Sequence, residues 1–453
     1  MKDLTNGSEG RLIFTFAIPM LIGNVFQQLY NTVDSIIIGK TVGKNALGAV
    51  GASSPIVFLM VASILGLTMG INVLVAQYYG AKDMERVKCT MDTGFIFIFL
   101  ASLIITAAGI FLAKPILLLL KTPKTILPLA ITYLQIILSG TLFTFGYNFV
   151  SAILRGLGDA KTPLYFLILA TVVNILLDLV FILNFGWGVA GAAWATVIAQ
   201  GIAFGAVLVY LQKIHPLFDL SVESMKFDWE IFGLSLKIGL PSGVQQTVVA
   251  ASMMALTRIV NGFGADAVAA FTAAGRLDTF AMMPAMNISM ALSSFVGQNL
   301  GAGKPERVKK GYVAAILMAT GISFATTLVM ATMGKELIAL FNTDPQVIRI
   351  GARYLLIVGS FYAVFSFMFQ TTGILRGAGD VFVPMLVTII AQWAVRIPVA
   401  SFLSGKLGTD GIWWGIPIGW MVGAALGFIY YLTGRWRRLG LVRPLPLGDE
   451  DLL

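Results

Sequence analysis

Residues 77–88 read Gln77-Tyr-Tyr-Gly-Ala-Lys-Asp-Met-Glu-Arg-Val-Lys88, and the phrase returns as Gln298-Asn-Leu-Gly-Ala-Gly-Lys-Pro-Glu-Arg-Val-Lys309. The offset is 221 residues. A second pair keeps that offset: Ile153-Leu-Arg-Gly-Leu-Gly-Asp-Ala-Lys-Thr-Pro163 and Ile374-Leu-Arg-Gly-Ala-Gly-Asp-Val-Phe-Val-Pro384. Seven of 12 and seven of 11 positions agree, and Lys114 and Tyr133 fall on Lys335 and Tyr354. The chain is therefore two copies of one unit. Long apolar runs separate the polar phrases, near 12–38, 50–79, 90–113, 126–150, 162–183 and 190–212, then 231–260, 267–297, 310–333, 346–372, 382–403 and 411–433. Each copy holds six spans, an even number, so both enter the membrane from the same side. The expectation is an all-α polytopic protein of 12 transmembrane helices in two six-helix lobes, related by a parallel pseudo-twofold repeat.

Composition agrees. The 453 residues are 57% hydrophobic and 12% charged, against about 25% charged in soluble domains. Twelve spans of about 21 residues need roughly 250 apolar positions, close to what this chain supplies. Cys89 and His215 are each the sole residue of their kind, which excludes an intrachain disulfide and argues against zinc, haem or a His-based triad. The net charge of +9 reads as basic cytoplasmic loops rather than a nucleic-acid surface. With both termini cytoplasmic, 18 Lys and Arg fall inside and 10 outside. The first span lacks a cleavage-like end and reads as a retained helix. The domains follow: lobes over 1–212 and 231–435, a cytoplasmic linker over 213–230 and a cytoplasmic tail over 436–453. Two such lobes face each other across a cleft, the usual place for a carried substrate.

Charge inside a bilayer is costly, and is paired or functional where it persists. Span 1 carries Asn24, Gln27, Asn31 and Asp34 at steps of three, four and three, one helical face. A polar stripe avoids lipid, so this face lines a cavity or a neighbouring helix. In span 5, Asn174 and Asp178 are i and i+4. Span 6 adds Thr196, and span 4 adds Tyr133 and Asn148. Together these form an oxygen-rich pocket suited to a proton or a hard monovalent cation, with Na+ at Asp34, Asn174 and Asp178 as the metal alternative. The structural reading, simple interhelical hydrogen bonding, is opposed by the repeat. At the 221 offset Asp34, Asn174 and Asp178 fall on Ala255, Val395 and Val399, so the fold does not need them.

The second copy has its own intramembrane charges, Arg276, Asp278 and Arg396, with Gln392; a structural ion pair or loop anchor is the expected role. Met282, Met286 and Met290 recur every four residues along span 8, as core packing or as a deformable lining for varied apolar ligands. Pro19 removes a backbone donor from span 1 and marks a static kink or a hinge. Two GxGD phrases, at Asp159 and Asp380, resemble an intramembrane aspartyl protease signature. Each lies at a cytoplasmic span end between Arg and Pro, which marks a turn and helix start instead. No GxxxxGK[ST] phosphate loop occurs in the sequence.

These residues resemble the multidrug and toxic compound extrusion (MATE) transporters. The resemblance rests on Val33-Asp34-Ser-Ile-Ile-Ile-Gly39 with Gly43, on Gly297-Gln-Asn-Leu-Gly-Ala-Gly303 with Glu306-Arg307, and on the repeated Leu-Arg-Gly-x-Gly-Asp. It covers residues 11 to 435. It implies export of bulky, often cationic, amphipathic compounds in exchange for protons or sodium. In the prokaryotic branch similar to DinF and MepA proteins, a cation site in the N-terminal lobe matches Asp34, Asn174 and Asp178. Thr196 and the carbonyl of Ala192 complete it, and Pro19 matches a helix-1 proline associated with bending. Members similar to NorM carry an acidic residue in helix 7. Here Leu240 to Val260 contains no Asp or Glu, which favours coupling in the N-terminal lobe.

The expected protein is an antiporter working by alternating access in a prokaryotic cell membrane. It is not an enzyme, uses no cofactor beyond the coupling H+ or Na+, binds no nucleic acid, and works as a monomer among membrane lipids. Gln27, Asn31, Tyr133, Asn148, Met282, Met286 and Met290 are the expected substrate contacts. The alternative is a flippase for a lipid-linked saccharide or cell-wall precursor; its cleft calls for more inward basic residues than Arg276 and Arg396.

Overall fold

The computed structural model describes residues 2–214, 223 and 225–437. His215, residues 215–222 and 224 of the expected linker, and residues 438–453 of the expected tail lie outside these. The described residues are helical, without strands. In the first copy lie α1 (Glu9–Ile37), α2 (Lys44–Gly80), α3 (Met84–Leu119), α4 (Leu127–Ser139), α5 (Thr141–Gly156), α6 (Lys161–Asp178) and α7 (Gly188–Ile214). In the second lie α8 (Trp229–Asn261), α9 (Ala265–Gly301), α10 (Pro305–Ala339), α11 (Pro345–Gly359), α12 (Tyr362–Gly377), α13 (Phe382–Ile389), α14 (Ile397–Leu407) and α15 (Thr409–Leu432).

The expected spans all appear, in order. Among the described residues, nine helices or helix runs are individually long and apolar enough to cross a bilayer. Spans 4 and 10 are bent pairs, α4 with α5 at 47° and α11 with α12 at 48°. The breaks, at Gly140 and at Ser360–Phe361, stand at the repeat offset, so the bend belongs to the ancestral unit. The twelfth span is α8. Its 33 residues are diluted by Glu230, Lys237, Gln245, Gln246 and Arg258, which is why it stands apart from the other eleven.

The Leu-Arg-Gly-x-Gly-Asp phrase explains itself twice over. Its first glycine is a point of close helix approach. A Cβ on Gly156 would stand 2.9 Å from Val75 Cγ1 and 3.0 Å from the Asn72 carbonyl oxygen; on Gly377 it would stand 2.4 Å from the Ser293 oxygen and 2.7 Å from Val296 Cβ. Asn72 and Ser293, like Val75 and Val296, are themselves 221 apart, so one helix crossing is built in both copies. Its second glycine turns the chain at φ +81° in Gly158 and +86° in Gly379, a region that favours glycine. Asp159 then accepts from Lys161 N (2.9 Å), Thr162 N (3.0 Å) and Thr162 Oγ1 (2.6 Å) at the start of α6. Asp380 accepts from Tyr430 OH at 2.5 Å. Asp159 is thus tied up in a helix start, and Asp380 in a bond to the last turn of α15.

By internal contacts the chain divides into two compact units. Unit 1 comprises Met1–Lys2, Pro19–Tyr79 and Asp83–Gly239; unit 2 comprises Asp3–Ile18, Gly80–Lys82 and Leu240–Leu453. Helices α1 and α8 each change unit within one or two residues of a proline, Pro19 and Pro241, and the two change-points are 221 residues apart. In unit 2 the Gln298–Arg307 phrase cradles the N-terminal segment. Leu4 N donates to Gln298 Oε1 (3.0 Å), Asn299 Nδ2 donates to the Leu4 carbonyl (3.1 Å), and Lys304 Nζ reaches the Thr5 carbonyl (3.2 Å). Arg307 donates to the Gly7 carbonyl (2.9 Å) and pairs with Glu9 (3.1 Å). Burial pushes the Asp3 carboxyl up, but hydrogen bonds from Thr5 and Asn6 and the charge of Lys304 outweigh it and hold the group below the usual range.

A group with a depressed folded value stabilises above its unfolded value and loses that contribution as pH falls. Limited proteolysis should therefore cut the N-terminal segment faster as pH drops through the carboxylate range, about 4. Asp3→Asn should weaken that pH dependence. Separately, Gly377→Ala should lower the melting temperature of the purified protein, by overpacking worth about 1–3 kcal/mol. Gly156→Ala should cost less, since its nearest contacts are longer.

Candidate functional site

The site is built where α1, α6 and α7 meet in unit 1. Asp34 lies in the last turn of α1 and Asp178 is the last residue of α6. Each helix then widens into a π-helical turn, Ile38–Val42 after α1 and Leu179–Asn184 after α6. The two turns pack on each other and both touch α7. Such widened turns recur at functional sites, because they free backbone groups and re-aim side chains. Ile38, Ala46, Ile182, Val189 and Ala192 form an apolar floor, with Tyr133 against it.

On this floor stand the polar groups. Asp34 is 9% exposed, and Asn174 and Asp178 are fully buried. Asp34 and Asp178 lie close enough to act on each other electrostatically. Asp34 Oδ1, both oxygens of Asp178 and both amide atoms of Asn174 are buried without a hydrogen-bond partner among the described residues. Each such atom costs about 1–3 kcal/mol if nothing compensates it. Two facing carboxylates offer acceptors but no donor. A shared proton or a small hard cation supplies what they lack, and four oxygens from two carboxylates and an amide form the donor set that oxygen-seeking cations take.

The structure thus brings together Asp34, Asn174 and Asp178. Thr196 joins through Tyr30, whose hydroxyl donates to Thr196 Oγ1 at 3.0 Å. Tyr30 and Tyr133 both lie in the electrostatic field of Asp34 and Asp178. Ala192 lies one turn before Thr196 on α7, in the apolar floor. The stripe on α1 separates along its length. Asp34 is buried, Gln27 is half-buried, and Asn31 is exposed, with Nδ2 3.5 Å from Gln28 Oε1. Asn148 donates to the Thr144 carbonyl of its own helix at 2.8 Å. Met282 packs on the unit 2 core, Met290 is half-buried, and Met286 is 41% exposed. Pro19 is buried within a helix that continues through it. Tyr30 escaped the sequence reading, although it stands four residues before Asp34 and so on its face.

Two carboxylates held this close repel when ionised. Asp178→Asn, which gives Asp34 an N–H donor, should raise the melting temperature of the purified protein in sodium-free buffer. An unchanged or lower value would show that the carboxyls do not strain each other.

The sequence profile of the MatE family matches residues 19–180 and 241–402, one match per copy. The chain is 38% identical over 439 residues to the "Probable multidrug resistance protein YpnP" of Bacillus subtilis, covering 97% of this chain and 98% of that one. Among solved structures it is similar to a MATE protein in a straight conformation (TM-score 0.90, 27% identity, 97% of this chain and 99% of that one). The bent conformation is equally similar (TM-score 0.90, 26% identity, 97% and 98%). Two family matches spanning both copies, a full-length curated relative and a shared fold lead to one assignment: this chain belongs to the MatE family of multi-pass membrane multidrug efflux transporters.

Proposed function

We propose that this transporter exports bulky, amphipathic, cationic compounds in exchange for protons or sodium, by alternating access. One observation carries the coupling half of this reading. Unit 1 buries two facing carboxyls and an amide without protein partners, and unit 2 has alanine and valine at the same repeat positions. Asp34, Asn174 and Asp178 are the cation-coupling residues, with Thr196 and the Ala192 carbonyl beside them. Gln27, Asn31, Tyr133, Asn148, Met282, Met286 and Met290 are assigned to substrate contact. The functional halves are residues 1–212 and 231–435, with linker and tail at 213–230 and 436–453. Both termini face the cytoplasm of a prokaryotic cell, and the transporter acts as a monomer.

Exchange requires that cation and substrate disfavour each other, a negative coupling free energy. The route runs along α1. A cation that joins Asp34 to Asp178 ties the end of α1 to α6, and Pro19 lets the rest of α1 respond. Likeness to relatives solved with straight and bent conformations supports this reading of Pro19.

The test is efflux of a fluorescent cation from proteoliposomes under an imposed pH gradient or an imposed sodium gradient. Asp34→Asn should reduce gradient-driven efflux at least tenfold while the protein stays folded, and the effective gradient names the ion. Wild-type efflux by that variant overturns the reading.

A further inference from the structure

Unit 2 holds its buried charges by hydrogen bonds. Tyr354 OH and Tyr362 OH donate to Asp278, and Arg396 Nη1 donates to Gln392 Oε1 at 2.9 Å. Neither Asp278 nor Arg396 enters an ion pair among the described residues, in place of the structural pair expected for them, and Arg276 is exposed. Charge without a protein partner gathers elsewhere, at one end of the helix bundle. There α10 ends, α11 and α15 begin, and α8 turns into α9, around a cavity of about 910 Å³. Lys335 and Glu336 line it from α10, Arg349 and Arg353 from α11, and Asp410 from α15. Arg353 Nε donates to Asp410 Oδ2 at 2.8 Å, while its Nη1 and Nη2 have no partner among the described residues. Lys335 and Arg349 are exposed and have neither a hydrogen bond nor an ion pair among the described residues, and Glu336 is likewise unpaired.

Arg349 and Arg353 are i and i+4 on α11, one above the other, and like charges at that spacing repel. Asp410 answers only Arg353, and Lys335 adds a third cation from the neighbouring helix. The repeat shows that this helix crossing does not need them. At the 221 offset Lys335 falls on Lys114, but Arg349 and Arg353 fall on Pro128 and Thr132, and Glu336 and Asp410 on Pro115 and Val189. Helices α3 and α4 pack in the first copy without the arginines. Phe263 and Leu356 line the same cavity and are 40% and 42% exposed. Cationic donors thus stand beside open apolar surface. A small soluble anion would use the first and leave the second in water; an amphipathic anion covers both.

We infer that this cavity binds the phosphate headgroup of an anionic phospholipid, held by Lys335, Arg349 and the open Nη atoms of Arg353, with the acyl chains leaving past Phe263 and Leu356. Guanidinium forks match phosphate oxygens, and a basic pocket between spanning helices takes acidic headgroups. A phosphate between Arg349 and Arg353 also relieves their mutual repulsion. Glu336, the acid left unpaired, accepts from headgroup hydroxyls, which suits a glycerol headgroup. Once bound, the lipid ties the end of α10 to the start of α11.

The test titrates the purified full chain, in a neutral detergent, with phosphatidylglycerol, phosphatidylcholine or inorganic phosphate, and reads the melting temperature. Phosphatidylglycerol should raise it by several degrees through preferential binding to the folded state, and the other two should not at the same concentration. Lys335→Gln/Arg349→Gln should lose more than half of that rise. Lys114→Gln/Lys124→Gln, which removes the same charge from the matching end of the first copy, should keep it. An equal rise with phosphatidylcholine marks general lipid solvation, and an equal rise with phosphate marks a soluble-anion site; either overturns the inference. A full rise in Lys335→Gln/Arg349→Gln, or an equal loss in both variants, overturns it as well. The wild-type chain provides a second measurement that no folding defect can obscure. Phosphatidylglycerol should slow acylation of Lys335 by an amine reagent several-fold relative to Lys114, as read by peptide mass spectrometry. Acylation of Lys335 that the lipid slows no more than that of Lys114 sinks the proposal.

Discussion

At membrane depth a polar atom has no water to fall back on, so each buried donor and acceptor must be matched by protein or by something the protein carries. That constraint organises this molecule more than apolar burial does. Apolar contact between helices adds little when lipid is as apolar as leucine. What fixes the helices is small-residue approach at Gly156 and Gly377, and hydrogen bonds such as Asn72 Nδ2 to the Ala152 carbonyl at 2.8 Å or Gln370 Nε2 to the Ala285 carbonyl at 3.0 Å. Against this background, unpartnered atoms stand out. Those of Asp34, Asn174 and Asp178 gather at one place, where α1 and α6 widen into π-helical turns.

The repeat separates features that both copies share from features that only one copy keeps. Shared features are structural: the close-approach glycines over Asn72 and Ser293, the left-handed Gly158 and Gly379, the bends near Gly140 and Ser360, and the change of unit at Pro19 and near Pro241. Features present in one copy only are chemical. Unit 1 keeps Asp34, Asn174 and Asp178; unit 2 keeps Asp278, Tyr362, Gln392 and Arg396. The two copies have diverged in charge at membrane depth while preserving the backbone that holds it.

Much of this was legible in the sequence for a physical reason. Span order follows from apolar runs, which need no partner to be recognised, and the repeated phrases carry invariant offsets. The carboxyls were legible because charge is scarce. Contacts that depend on where helices meet were not. The pairing of Asp278 with two tyrosines joins residues 76 and 84 positions apart. The Gln298–Arg307 phrase was visible as a motif, yet its work, cradling Leu4 to Glu9, lies nearly 300 residues away in the chain. The π-helical turns leave no periodic trace, because one extra residue in a run of Leu, Val and Ile does not disturb an apolar pattern. The stripe on α1 is not uniform in burial: Asn31 shares a helical face with Asp34 but is exposed where Asp34 is buried, a difference that spacing along the helix does not encode.

Helix α1 is where these strands of argument meet. Its first turns pack with unit 2, clamped by Arg307 on Glu9 and Gly7, and its remainder packs with unit 1 and carries Asp34 in its last turn. A helix divided in this way is loaded from both ends. Any change in how Asp34 engages Asp178 acts on a rod whose other end is held by hydrogen bonds to the α9–α10 turn, and the one missing backbone donor between them is at Pro19. Strain between the two anchorages therefore concentrates at the proline, since a helix bends where its hydrogen-bond ladder is already broken. The same logic applies to α8 near Pro241, but α8 has no acid from Leu240 to Val260. The two divided helices thus share a proline near the change of unit and differ in chemistry, since only α1 carries a buried acid beyond it.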